Sequence, residues 1–102
     1  MLITKKIYSI EEITKLLEPV FKAHRIKKAI LFGSYVRGEA NSWSDVDIAV
    51  EYTDTFWGIE DSMVRCCQAA LIKRVDVIDV DDKWLVDSVK DAISKEGVLI
   101  YG

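Results

Sequence analysis

This sequence has few of the residues that cross-link a chain or break its helices. Its 102 residues include two cysteines and one proline, and the cysteines, Cys66 and Cys67, are neighbours. Because adjacent cysteines cannot build an ordinary disulfide framework, the pattern predicts a reducing compartment, the cytoplasm. No apolar run is long enough to cross a bilayer, and the amino terminus has no apolar signal segment, so we expect no membrane partner and no processing.

An excess of charge of one sign is missing too. Fourteen basic side chains stand against 17 acidic ones, which gives a net charge of −3. Such a balance does not draw a protein to nucleic acid or to an anionic membrane, so strong nucleic-acid binding is not expected and any anionic ligand needs a local site. Because no repeat, low-complexity tract or linker interrupts the sequence, residues 1–102 are predicted to form a single domain with its own core.

The spacing of apolar residues predicts helices that alternate with strands. Ser9 and Glu12 have the spacing of a capping box, and the helix they start is expected to kink or restart at Pro19 and to end near His24. The next predicted elements are strand 27–32, a helical turn over 35–39 and strand 45–51. A helix within 56–73 follows, with Cys66 and Cys67 on its apolar stripe, and then strand 74–80. The last two elements are a helix whose apolar stripe begins at Trp84 and which stops at Gly97, and an edge strand over 98–101. This order predicts an α/β (α+β) fold, a small sheet with helices mainly on one face.

Two aspartates, Asp45 and Asp47, are the candidate catalytic and metal-binding residues. They alternate with Val46, so both side chains lie on one face of the predicted strand, about 7 Å apart. Carboxylates this close repel unless a cation lies between them, and their oxygens suit Mg²⁺ or Mn²⁺. Asp76, in the middle of the next strand, is the candidate third ligand or a base, and a solvated acid at a sheet edge is the alternative.

Gly33 and Ser34 form a candidate phosphate-binding loop. They end a strand and open a helical turn, where glycine lets the backbone approach a ligand and free N–H groups point at it. Arg37, one turn later, is a candidate phosphate contact through its planar guanidinium, or else a surface charge. The interpretation that joins these features is a triphosphate on the loop with its metals on the aspartates.

The segments Leu31–Ala40 and Trp43–Val50 resemble the minimal nucleotidyltransferases of the polymerase beta superfamily. Proteins of that family carry a Gly-Ser pair, an Asp-x-Asp pair and a later acidic residue. The matching positions in this sequence are Gly33, Ser34, Asp45, Asp47 and Asp76. The resemblance covers almost the whole chain, and no signature position is missing, so it implies the nucleotidyltransferase fold.

The resemblance also implies a reaction: transfer of AMP from ATP to an acceptor hydroxyl, with pyrophosphate as the leaving group. Two Mg²⁺ ions, or Mn²⁺, are implied. Asp45 and Asp47 would bind the ion that holds the triphosphate, and Asp76 would bind the second ion or accept the proton. Larger members carry an additional helical domain, for which 102 residues leave no space, so the acceptor site is expected from a partner chain.

Relatives of this kind pair with a small all-helical HEPN protein, often as the antitoxin of a toxin–antitoxin pair that adenylylates a tyrosine of the toxin. Two other hypotheses remain at this stage: a binding module that neutralises its partner sterically, and the catalytic subunit of a two-chain enzyme that modifies a small molecule. Three roles are left open for the aromatic residues Tyr52, Phe56 and Trp57: stacking on adenine, docking a partner, or packing at the start of a helix. Trp43 is expected either to shield the site or to pack within its loop. The acceptor, the base, the metal and a possible oligomer are left open.

Overall fold

The computed structural model describes residues 3–54 and 56–102, which form four helices and one four-stranded sheet. The elements are α1 (Ile10–Ala23), β1 (Ile26–Phe32), α2 (Ser34–Arg37), β2 (Val46–Tyr52), α3 (Ile59–Leu71), β3 (Val75–Asp79), α4 (Asp87–Glu96) and β4 (Val98–Tyr101). The strand order is β3-β2-β1-β4, with β2 and β3 parallel and the other two pairs antiparallel. The predicted fold class and the predicted alternation of elements are confirmed.

The hydrophobic core lies between one face of the sheet and the two long helices, α1 and α3. Val46, Ile48 and Val50 alternate along β2 and are completely buried on that face. Leu17 of α1 and Met63 of α3 are also completely buried in this core. The same alternation leaves Asp47 and Ala49 on the opposite face of β2, so the packing of the core decides which face carries the carboxylates.

Helix α1 begins as the sequence predicts and then continues without a break. The Ser9 hydroxyl accepts the Glu12 backbone N–H, and the Glu12 carboxylate accepts the Ser9 N–H, which completes the capping box. The helix passes through Pro19, so the predicted restart is wrong. Pro19 is exposed, whereas Leu17 and Phe21 on either side of it are buried, and their packing offsets the hydrogen bond that proline cannot donate.

Two side chains that the spacing assigned to apolar helix stripes are exposed instead. Cys66 is exposed on α3, and its neighbour Cys67 fills the buried position. Trp84 lies before α4, which begins at Asp87, and is 81% exposed. Its backbone N–H is donated to Oδ1 of Asp82 at 2.9 Å, so a side-chain-capped turn holds the residue where the spacing indicated a helix. Across residues 3–54 and 56–102, no helix combines the length and apolar character needed to cross a membrane.

Adjacent leucines on α1 test the position of the core. Leu17 is completely buried and Leu16 is 41% exposed. Replacing Leu17 with alanine is expected to lower the free energy of unfolding by about 2–5 kcal/mol, because it removes buried methyl groups and leaves a cavity. Leu16→Ala, the matched control, should change it by less than about 1 kcal/mol. Denaturant unfolding of the two variants measures both, and equal losses would contradict the assigned helix orientation.

Candidate active site

The parallel pairing of β2 with β3 brings two carboxylates together. Asp47 and Asp76 are direct partners in the register, on neighbouring strands and on the same face of the sheet. Asp45 lies one residue before β2 and two before Asp47, so it extends the same row. Asp47 and Asp76 line an open groove of about 590 Å³, together with Phe32 of β1 and Val89 of α4. The structure therefore collects the three predicted aspartates at one end of β2 and β3.

Asp47 has an unfavourable electrostatic environment. The pKa of Asp47 is raised from 3.8 to about 6, mainly by burial and then by the charges of Asp76 and Asp45, while Arg37 opposes the shift. A carboxyl group shifted in this way is stabilised in its charged form by a cation that binds beside it. A cation bound beside Asp47 would therefore oppose this shift.

The donor set also fits a divalent metal chemically. Three carboxylates offer the hard oxygen ligands that Mg²⁺ and Mn²⁺ prefer, with room for water and phosphate oxygens. Among residues 3–54 and 56–102, no three acidic, histidine or cysteine side chains lie in an arrangement that could hold a metal ion, so the fit is one of donor chemistry and of the Asp47–Asp76 register.

Gly33 lies directly against Asp47 because Phe32, the residue before it, pairs with Asp47 across β1 and β2. Gly33 is buried, adopts a positive φ of 82°, and precedes the first residue of α2, Ser34. A Cβ at this position would overlap Oδ2 of Asp47. Only glycine therefore lets the loop pass this close to the carboxylate, which places the start of α2 beside the row of aspartates.

Arg37 lies near these groups but is already paired. Its guanidinium donates to Glu39 and, at 2.8 Å, to Oε1 of Glu96 in α4. It is close enough to lower the pKa of Asp47. To contact a phosphate, Arg37 would have to exchange at least one of these carboxylates for the ligand, so its predicted role stays a prediction.

Two basic side chains near the aspartates were missed in the sequence. Arg74 precedes Asp76 by two residues, and extending the strand register places it beside Asp45 on the same face. Lys73 is only 1% exposed and donates from Nζ to the carbonyls of Thr4, at 3.0 Å, and Ser42, at 3.1 Å. The alternation Arg-Val-Asp could have indicated Arg74, whereas nothing in the sequence indicates a buried lysine.

The aromatic cluster after β2 does not reach the aspartates. Tyr52, Phe56 and Trp57 line a cavity of about 370 Å³ at the far end of β2. Five residues of strand separate Tyr52 from Asp47, which corresponds to about 16 Å. Trp43, by contrast, lines a cavity that Asp45 also lines. Of the four aromatic residues considered from the sequence, the structure brings Trp43 alone to the candidate site.

The chain is similar to proteins that carry nucleotidyltransferase names. The family model described as "Polymerase beta, Nucleotidyltransferase" matches residues 11–102. A Methanocaldococcus jannaschii protein named "putative protein adenylyltransferase" is 43% identical over 93 residues, covering 88% of this chain and 96% of that protein. A second protein of the same name from that organism is 37% identical over 71 residues, covering 70% of this chain and 66% of its own length.

Solved structures with the same fold come from toxin–antitoxin systems. A toxin–antitoxin structure with AMP-PNP has a TM-score of 0.70 and 26% identity, over 93% of this chain and 74% of that chain. A structure of the tri-AMPylated HEPN toxin of Shewanella oneidensis with its MNT antitoxin has a TM-score of 0.68, over 91% of this chain and 72% of that chain. Its identity of 20% supports a likeness of fold only.

Two glycines with positive φ provide a matched test of the loop. Gly33→Ala places a methyl group on Asp47, whereas Gly38→Ala strains the backbone in the same way but meets no atom within 4 Å. We expect Gly33→Ala to lower the rate of nucleotide chemistry roughly a hundredfold, because a displacement of about 1 Å at a reacting group can have that effect. Affinity for Mg²⁺·ATP, measured by calorimetry, should fall with it. Equal effects in the two variants would contradict a specific role for Gly33.

Replacing Asp47 with asparagine should stabilise the metal-free protein. The pKa of Asp47 is raised on folding from 3.8 to about 6, so between these pH values the folded state keeps a proton that the unfolded state has lost. The contribution of Asp47 to the free energy of unfolding is therefore full below pH 3.8 and is lost as the pH rises to about 6. In EDTA above pH 6, Asp47→Asn should therefore melt several degrees higher than the unmodified chain, with a flatter pH dependence. Asp81→Asn, at an exposed acid after β3, is the control and should not reproduce the gain. A lower melting temperature for Asp47→Asn would contradict this account.

Proposed function

This chain belongs to the polymerase beta nucleotidyltransferase family, and we propose that it transfers AMP from ATP to an acceptor hydroxyl, most specifically a tyrosine of a partner HEPN toxin. The observation that carries the proposal is the row of Asp45, Asp47 and Asp76 beside the Gly33 loop. The raised pKa of Asp47 supports it, because burial and the neighbouring carboxylates disfavour the charged form of this group, and a bound cation stabilises that form.

Each residue of the row has a part in this reaction. Asp45 and Asp47 would hold the ion that carries the triphosphate, and Asp76, next to Asp47, would hold a second ion or accept the acceptor proton. Two Mg²⁺ ions, or Mn²⁺, would neutralise phosphate charge and lower the pKa of the acceptor hydroxyl. Gly33 and Ser34 would seat the phosphates through backbone N–H groups at the start of α2.

The reaction is a single displacement at the α-phosphorus. The acceptor oxygen forms a bond to that phosphorus as the bond to the bridging oxygen of pyrophosphate breaks, and the acceptor proton leaves to a base. Pyrophosphate departs with the electron pair of the broken bond. Asp76 can serve as that base because it lies on the edge strand of the row and is exposed.

The partner is proposed from the relatives. The toxin–antitoxin structure with AMP-PNP is 26% identical to this chain, and relatives at 43% and 37% identity carry the name of protein adenylyltransferases. We therefore expect an ATP-dependent antitoxin whose acceptor is a small all-helical HEPN-type protein. Residues 1–102 would act as one nucleotidyltransferase domain, and the unpaired Cys66 and Cys67 suit the reducing, ATP-rich cytoplasm.

A second function, steric neutralisation of the partner, is favoured by a separate observation. Phe56 is 61% exposed and Trp57 is fully exposed, at the end of β2 away from the aspartates. Exposed aromatic pairs of this kind are typical of protein interfaces. If neutralisation is steric, Asp45→Ala combined with Asp47→Ala should still silence the partner.

Labelling with α-phosphate-labelled ATP tests the proposal. The purified chain, incubated with Mg²⁺ and a HEPN-type partner protein, should give a labelled partner on a gel. Asp45→Asn should reduce the label at least roughly a hundredfold, because losing charge stabilisation of the transferring group costs several kcal/mol. Asp81→Asn, at an exposed acid outside the row, should keep it. A stable complex that controls the partner without any label would contradict transfer and support steric neutralisation.

A further inference from the structure

A small cavity beside Asp45 is not explained by phosphate or metal binding. It measures about 200 Å³ and is lined by Ile3, Trp43, Ser44, Asp45 and Arg74. We propose that this cavity binds the aromatic ring of the acceptor side chain, with Trp43 and Arg74 as its contacts, so that the acceptor oxygen reaches the aspartates. The inference rests on the proposed transfer reaction and adds to it the residues that select the acceptor.

Trp43 presents an exposed ring from a braced turn. Its side chain is 72% exposed. The Trp43 backbone N–H donates a hydrogen bond to Oδ1 of Asn41 at 2.8 Å. Two further bonds close the turn: the Asn41 N–H donates to Oγ of Ser44 at 2.9 Å, and the Ser44 N–H donates to the Asn41 carbonyl at 3.1 Å. An indole held in this way is a preformed stacking surface, because its backbone loses little freedom when a ring binds.

Lys73 holds together the two backbone segments that carry Ile3 and Trp43, the apolar walls of the cavity. Its buried ammonium joins the Thr4 carbonyl, next to Ile3, to the Ser42 carbonyl, next to Trp43. The Thr4 N–H is also donated to the carbonyl of Ile72 at 2.9 Å, which attaches the same segment to the end of α3. The two apolar walls are therefore held in place before any ligand arrives.

Arg74 supplies a second flat face. It is exposed and lies on the same face as Asp45 by the strand register. Within residues 3–54 and 56–102, its guanidinium forms no ion pair with a carboxylate, unlike Arg37, which has two. A guanidinium plane stacks on aromatic rings and attracts their electron-rich faces, so an indole and a guanidinium around one small cavity favour a planar aromatic ligand.

The geometry of the displacement reaction indicates which aromatic ring binds in the cavity, that of the acceptor or adenine. The Gly33 loop lies on the β1 side of Asp47, whereas the cavity lies on the β3 side, between the starts of β2 and β3. In an in-line displacement the acceptor approaches the α-phosphorus from the side opposite the departing pyrophosphate. With the phosphates at Gly33, the cavity is therefore on the acceptor's side, and its occupant is the acceptor ring rather than adenine.

Steady-state transfer to the partner protein tests the assignment, with KM measured separately for partner and for ATP. Trp43→Ala should raise the KM for the partner about tenfold, the effect of losing one aromatic stacking contact, and should leave the KM for ATP within about twofold. Trp43→Phe, which keeps a ring, should restore most of the affinity. Trp84→Ala, at a tryptophan 81% exposed after β3, is the matched control and should change neither constant.

The outcomes distinguish a failure of the cavity assignment from a failure of the proposed AMP transfer. If the unmodified chain transfers no AMP, both the proposed function and the assignment fail. If it transfers AMP but Trp43→Ala leaves both KM values unchanged, only the assignment fails. If the KM for ATP rises and that for the partner does not, the cavity binds adenine, and the acceptor assignment is overturned. Circular dichroism of each variant confirms that the fold is retained.

Discussion

The burial of Asp47 beside two other carboxylates is the constraint around which this structure is arranged. Asp47 and Asp76 are placed side by side by the parallel pairing of β2 with β3, and Asp45 follows on the same row. Arg37 opposes the raised pKa of Asp47 only in part, and its guanidinium is already paired with Glu39 and Glu96. The fold therefore carries an electrostatic cost that a bound cation would remove.

The rest of the fold holds this arrangement in place. Packing of α1 and α3 on one face leaves the other face of β2 to the carboxylates, since side chains alternate along a strand. Gly33 lets the loop after β1 approach Asp47, and Lys73 attaches the turn before Asp45 to the start of β3. In the part of the chain that the structure describes, Lys73 is buried and forms no ion pair with a carboxylate, which costs folding free energy. This fits a residue that holds the Thr4 and Ser42 segments in place.

The sequence predicted the order of the elements and the three aspartates because both depend on local patterns. Alternation places Asp45 and Asp47 on one face, and the Gly-Ser pair after an apolar run marks the loop. The outcome differs where tertiary contacts decide. A lysine is expected at the surface, and only the folded structure shows that Lys73 is buried against the carbonyls of Thr4 and Ser42. The position of Arg74 beside Asp45 depends on the register that pairs Val46 with Val75, 29 residues later. The unbroken helix at Pro19 likewise depends on packing that no local pattern contains.

The central claim is that the aspartate row and the Gly33 loop bind one metal–triphosphate together. Crystals grown with Mn²⁺ and a non-hydrolysable ATP analogue test it most directly, because the anomalous signal of manganese locates the ion independently of the nucleotide. The account predicts manganese within ligand distance of Asp45 and Asp47, with the phosphates against Gly33 and Ser34. Manganese bound elsewhere, or phosphates away from the Gly33 loop, would contradict it.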